Sequence, residues 1–277
     1  MAKHRYDIDA DRIAKWWAEG RGDGRGPTYK PWLRVQDLSS RGRSSRMPGQ
    51  TTGRTHELMS DLERAVLLEF DALDEVVDIR EQFPLPQSST LRIADQAGIR
   101  HPSVHGVDIV MTTDFVVDVV KGRHRTPIAV AVKYADDLND RRTIEKLEIE
   151  RRHWVAAKTR WFLVTELDLC ADRTAVALWR HGWHTFEHLD ETPEYWATRC
   201  EAMLVALASA GDSSLLDLIR KLEAGGGFAA GDGLTVVRHL LANGTLELAG
   251  EGAFDPRGPA TQLVQPTSAS LSERDAA

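Results

Sequence analysis

The chain has little cysteine, no long apolar run and no nucleotide-binding loop, and each shortage excludes a class of protein. Its 277 residues include only two cysteines, Cys170 and Cys200, far apart and in no CxxC spacing. That rules against a disulfide framework and a zinc knuckle and reads as two reduced thiols. No stretch approaches the roughly 20 apolar residues of a membrane helix. The opening residues, Met1 to Asp7, are charged and carry no secretory apolar segment, so a cytoplasmic protein away from membranes is expected. Gly-rich text occurs at Gly20–Gly26, but GxxxxGK[ST] occurs nowhere, which closes that route to ATP hydrolysis.

What is present suits an ordinary globular protein: 42% hydrophobic residues are enough for a sizeable core. The net charge of −7 argues against a nucleic-acid partner until its distribution is considered. Residues 1–54 hold 12 Lys/Arg against 6 Asp/Glu, a balance of +6, leaving −13 for the remainder. A basic arm on an acidic body can reach for phosphate while the body repels non-specific DNA. Within the arm, Tyr29-Lys30-Pro31-Trp32-Leu33 is an apolar anchor that docks it on the body, and Trp16, Trp17 and Trp32 read as packing anchors.

Apolar periodicity predicts a helix from about Leu58 to Phe70 and a strand over 76–83 that ends at Pro84. A loop of about two dozen residues follows, then strands over 113–120 and 127–134 joined as a hairpin by Lys121-Gly122-Arg123. A charged helix over 140–158, with Ile144, Leu147 and Trp154 inward, leads to a last strand over 161–165. Helix, strand, strand, strand, helix, strand is the order of an α/β fold, the restriction-endonuclease-like αβββαβ core of PD-(D/E)xK nucleases. After Thr165 a connector of irregular content over 168–190 precedes helices near 193–210, 213–223 and 234–242 and a short strand over 245–248. That succession suggests a winged-helix-like helical domain that binds DNA or a protein. The expected divisions are an arm at 1–54, an endonuclease domain at 55–167, the helical domain at 168–254 and a disordered tail at 255–277.

Phosphodiester hydrolysis needs an activated water, compensation of transition-state charge and help for the leaving oxygen. Mg²⁺ held by carboxylates, with Mn²⁺ as substitute, supplies these, and a nearby lysine adds positive charge. Asp114 begins one hairpin strand, Lys133 lies near the end of its neighbour, and Glu63 lies on the first helix. Each has a bland reading. Ser60-Asp61-Leu62-Glu63 matches a capping box, though a helix starting at Leu58 speaks against it. Asp114 could face solvent, and Lys133 could be a strand-end charge. Jointly, in this element order, the three form a catalytic trio, with Glu63, Asp114 and the Val132 carbonyl as metal ligands. Ala131 stands where a PD-(D/E)xK site has its second acid.

Lys30-Pro31-Trp32-Leu33, Ser60-Asp61-Leu62-Glu63, Asp78-Ile79-Arg80-Glu81-Gln82-Phe83-Pro84-Leu85, Gly106-Val107-Asp108, Thr113-Asp114-Phe115, Val132-Lys133 and the run from Glu145 to Arg152 together resemble the TnsA family. The likeness is close over residues 8–166. It implies an endonuclease subunit of a bacterial heteromeric transposase that cuts the 5′ ends of the transposon while TnsB, a DDE-type partner, cuts and joins the 3′ ends. It further implies Glu63, Asp114 and Lys133 as site residues with Mg²⁺, glutamine in one relative at the position matching Ala131, and a C-terminal domain that engages the ATP-dependent regulator TnsC.

His181, His184 and His188 have metal-like spacing but no further ligand joins them, and they read as connector residues. Glu145, Glu148 and Glu150 with Lys146, Arg151 and Arg152 read as a solvated helix face. The runner-up function is a scaffold: a nuclease fold of weakened metal affinity that binds DNA and transposase partners. A winged-helix transcription factor is a third reading, which the catalytic trio argues against.

Overall fold

A computed structural model describes residues 8–37, 43–250 and 253–266. The chain divides into two compact units, residues 1–169 and 170–277, each with its own core. The fold is mixed α/β.

The first unit contains α1 (Ala10–Ala18), β1 (Ser45–Pro48), β2 (Thr55–Leu58), α2 (Asp61–Asp71), β3 (Val76–Pro84), α3 (Gln87–Ala97), β4 (Ser103–Val104), β5 (Val107–Asp108), β6 (Thr112–Lys121), β7 (His124–Val132), α4 (Arg141–Ala156) and β8 (Arg160–Val164). Four strands make the main sheet in the order β3-β6-β7-β8. β3, β6 and β7 run antiparallel, and β8 joins β7 in parallel after the α4 crossover. On one face Val116 and Ala129 pack with Leu85, Ile93, Ile149 and Trp154, which seats α3 and α4 there. α2 packs against β3 and β7.

Several predicted elements shift. Leu58 belongs to β2, so α2 starts later, at Asp61, with Ser60 as its N-cap accepting from the Glu63 amide at 3.1 Å. The capping reading set aside from periodicity is therefore the actual local geometry. The expected loop of two dozen residues contains α3, closed by Gly98 in the left-handed region, and the β4–β5 hairpin. Its few apolar residues had hidden the helix. In α4 the inward stripe is Leu147, Ile149, Glu150 and Trp154, whereas Ile144 is 45% exposed.

The arm is less a free phosphate reader than its charge suggested. Arg21 pairs with Asp37, Arg25 with Asp118 and Arg54 with Glu81, so these cations are spent inside the unit. Tyr29 and Trp32 are buried, and Trp32 lies against Trp16, 5.3 Å between ring centres, and Trp17, at 4.6 Å. Trp17 itself is 44% exposed. The arm covers the free edge of β3: Tyr29 Oη donates to the Glu81 carbonyl at 3.0 Å and the Trp32 amide to the Gln82 carbonyl at 3.2 Å. An edge strand so covered offers no template for another chain.

The second unit holds α5 (Ala171–Arg180), α6 (Pro193–Ala208), α7 (Leu215–Ala224), α8 (Asp232–Ala242), β9 (Glu247–Leu248) and β10 (Leu263–Val264). Its core is built from Trp196, Met203, Leu215, Ile219, Val236, Val237 and Leu241. The connector expected over 168–190 carries a full helix, α5, with Val176 buried. The expected disordered tail is corrected over 255–266, where the chain returns so that β10 pairs antiparallel with β9, Leu263 opposite Leu248. The part of that expectation covering 267–277 lies outside the described residues.

Candidate active site

One end of the main sheet gathers polar side chains from five elements. Asp114 stands third in β6. Its Oδ2 accepts from the Val132 amide at 2.7 Å and from Lys133 Nζ at 2.7 Å. Lys133 Nζ also donates to the Val132 carbonyl at 2.8 Å. Lys133 sits one residue beyond β7, which ends at Val132 rather than at Tyr134, yet its amide still donates to the Val164 carbonyl of β8 at 3.1 Å. Sheet pairing thus brings together two residues 19 apart in sequence.

Glu63 enters from the first turn of α2. Its Oε2 accepts from the Met59 amide at 2.9 Å and the Gln82 side-chain amide at 3.3 Å, and its Oε1 from the Ser60 hydroxyl at 3.2 Å. Burial, then the charge of Asp114, pushes its carboxyl up to about 7, partly opposed by the Met59 amide and Lys133. Burial by itself would lower the Lys133 ammonium. The Asp114 carboxylate against it, with Glu150 and Glu63 farther off, more than offsets this and holds its pKa above the ordinary lysine value.

Glu150 is the acid that sequence reading placed on a solvated face. Glu145 and Glu148 do lie there, paired with Arg142 and Arg151. Glu150 instead is 5% exposed and accepts from Trp161 Nε1 at 3.1 Å. Burial and then the charge of Asp114 raise its carboxyl to about 7. Its spacing from Leu147 and Trp154, at i+3 and i+4, was the available signal.

The donors are carboxylate and carbonyl oxygens, which suit a hard cation such as Mg²⁺ or Mn²⁺. Among the described residues no three His, Cys, Asp or Glu side chains converge as a metal-holding group, so a backbone oxygen is needed to complete a set. The Val132 carbonyl, 2.8 Å from the same ammonium that touches Asp114, is placed to serve. A positive charge already bridges the two oxygens, and the two carboxyls nearby, Glu63 and Glu150, are raised by burial and then by the charge of Asp114. A cation fits this set of donors.

The β6–β7 pairing ends at Phe115 opposite Val130; one residue further on, Ala131 is level with Asp114, and it is fully buried. The three histidines lie in the second unit: His181 follows α5, and His188 meets Trp183 edge-on at 5.1 Å.

Buried carboxylates beside a lysine at a sheet end suit hydrolytic chemistry on phosphate esters, and the chain's similarity to known proteins places it among endonucleases of DNA transposition. Residues 73–166 match the family model "TnsA-like endonuclease N terminal", and residues 178–248 match "TnsA endonuclease C terminal". The chain is 38% identical over 247 residues to the transposon Tn7 transposition protein TnsA of Escherichia coli, covering 89% of each chain. This chain belongs to the TnsA family.

Proposed function

We propose that this chain is the Mg²⁺-dependent endonuclease subunit of a bacterial transposase, hydrolysing the phosphodiester at the 5′ ends of the transposon while TnsB cuts the 3′ ends. The observation that carries it is the contact of Lys133 Nζ with both Asp114 and the Val132 carbonyl, with Glu63 close enough to Asp114 to feel its charge. The order α2, β3, β6, β7, α4, β8 supports a PD-(D/E)xK core, and α6 to α8 followed by the β9–β10 pair support a winged-helix reading.

Glu63, Asp114 and the Val132 carbonyl would hold the metal, which when bound supplies Lewis-acid polarisation of the phosphoryl oxygen and acidifies a water. Asp114 is oriented by the Val132 amide, which leaves Oδ1 free of the bonds that hold Oδ2. Lys133 stays charged at neutral pH and offsets negative charge gathering on the scissile phosphate. Ser60 and Gln82 hold Glu63 facing the same point. The second unit has an apolar hollow of about 590 Å³ between Phe186, Leu189, Trp196, Leu204 and His239, a feature that supports protein binding, with TnsC as the proposed partner.

Ala131 favours a second reading, a catalytically weak scaffold, because no side-chain oxygen stands beside Asp114 at that position. One reconstitution separates the two. With TnsB, TnsC, transposon-end DNA and Mg²⁺, wild type should cut the 5′ ends, and Asp114→Ala should lose that cut at least a hundredfold while keeping its circular dichroism and 3′ cleavage. Unchanged 5′ nicking in Asp114→Ala would sink the site. A wild type that never cuts with Mg²⁺ or Mn²⁺ would select the scaffold.

A further inference from the structure

Three non-glycine residues among those described have positive φ: Gln82, His105 and Lys158. His105 forms the turn between β4 and β5, and Lys158 follows the end of α4, both ordinary places for a left-handed residue. Gln82 is different. With φ of 48° it lies inside β3, 3% exposed, where a glutamine gains nothing from that conformation.

The surroundings explain what holds it. In the β3–β6 register, Glu81 faces Phe115 and Phe83 faces Thr113, so Gln82 lies at the level of Asp114. Its carbonyl is turned outward to accept from the Trp32 amide of the arm, at 3.2 Å. Its side chain is fixed at both ends: Nε2 donates to Glu63 Oε2 at 3.3 Å, and Oε1 accepts from Thr112 Oγ1 at 3.2 Å. The reversed amide would set its oxygen against a carboxylate, so chemistry fixes this orientation. Gln82 is also the part of the Asp78–Leu85 run whose side chain reaches the carboxylate site.

We propose that Gln82 is a positioning residue of the metal site: its strained backbone aims the amide at Glu63 and holds that carboxylate in line with Asp114. The inference rests on Glu63 and Asp114 being the metal ligands. Gln82 acts through Glu63, as partners behind first ligands do, and loss of such a partner typically weakens metal binding 10- to 100-fold.

The test uses the full chain and Mn²⁺ alone, with free Mn²⁺ counted by electron paramagnetic resonance. Gln82→Gly removes the amide and the backbone strain together, whereas Gln82→Ala removes the amide and keeps the strain. The two should therefore differ in melting temperature, Gln82→Gly at or above wild type and Gln82→Ala below it. Both should nonetheless bind Mn²⁺ about tenfold more weakly than wild type. In end cleavage, Gln82→Gly should need about tenfold more Mg²⁺ for half-maximal rate and recover the wild-type rate at saturation. Wild-type Mn²⁺ affinity in Gln82→Gly overturns the inference and leaves the site reading intact. Failure of the wild type to bind Mn²⁺, or undiminished binding by Asp114→Ala, overturns the site reading beneath it.

Discussion

Glu63, Asp114 and Glu150 share one difficulty, which is that three carboxyls drawn out of water at one sheet end cannot all ionise cheaply around a single lysine. Glu150 bears this most simply, since its pKa rises from the ordinary 4.5 to about 7. The folded protein then holds that proton more tightly than the unfolded chain does. Protonated in both states below about pH 4.5, Glu150 then costs nothing; between about pH 4.5 and 7 the folded state loses about 3 kcal/mol on its account, and above that the loss stays constant. Glu150→Gln should accordingly gain melting temperature over wild type at pH 8 and little at pH 5. A gap that does not change with pH would refute this account. Ala131 is the other residue to change. It is level with Asp114, one residue past the end of the β6–β7 pairing, so Ala131→Gln should tighten Mg²⁺ binding about tenfold, measured by calorimetric titration. Because Ala131 is fully buried, the added atoms should also cost about 1–3 kcal/mol of stability. Unaltered metal affinity would mean that position 131 offers no useful donor.

At the scale of elements, the N-terminus of α2 does two jobs with one serine. Ser60 Oγ accepts from the Glu63 amide, capping the helix, and donates to the Glu63 carboxylate. Ser60→Ala should cost about 1 kcal/mol in urea denaturation and also weaken Mn²⁺ binding. A stability loss with metal affinity intact would reduce Ser60 to a cap alone. This is also where sequence and structure part most instructively. Ser60-Asp61-Leu62-Glu63 carried the capping signal, but Leu58 extended the apolar period backward across a strand end. Period alone cannot separate a buried strand residue from a helix residue. The strands β3, β6 and β7 were legible because β-branched runs between turn residues have few other uses. α3 was not, since Gln87-Ser88-Ser89-Thr90 looks like loop text and its helix is supported by burial of Ile93 and Ala94.

At the scale of the molecule, two cores imply two folding units. Trp32 is 1% exposed in the first, packed on Trp16 and closing the β3 edge through its amide. Trp32→Ala should destabilise that unit by about 3–5 kcal/mol. Calorimetry should then show two transitions in wild type, with only one moving in Trp32→Ala. A single transition that shifts as a whole would show that the units unfold together. The ion pairs of Arg21, Arg25 and Arg54 belong to this scale too, because they turn a basic arm into a structural strap.

Sequence by itself pointed to the proposed chemistry, because Glu63, Asp114 and Lys133 are particular residue types at the ends of recognisable elements. It also determined the family, through the long run from Asp78 to Leu85. Only tertiary structure decided which acids share the site. Glu150 and Glu148 are two residues apart on one helix; the spacing of Glu150 from Leu147 and Trp154 hints at the difference, and its burial with the bond from Trp161 of β8 decides it. Gln82 likewise carries no mark in sequence. Its meaning lies in a backbone angle imposed by the arm on one side and by Glu63 and Thr112 on the other, and such an angle arises only when the sheet, the helix and the arm close on the same residue.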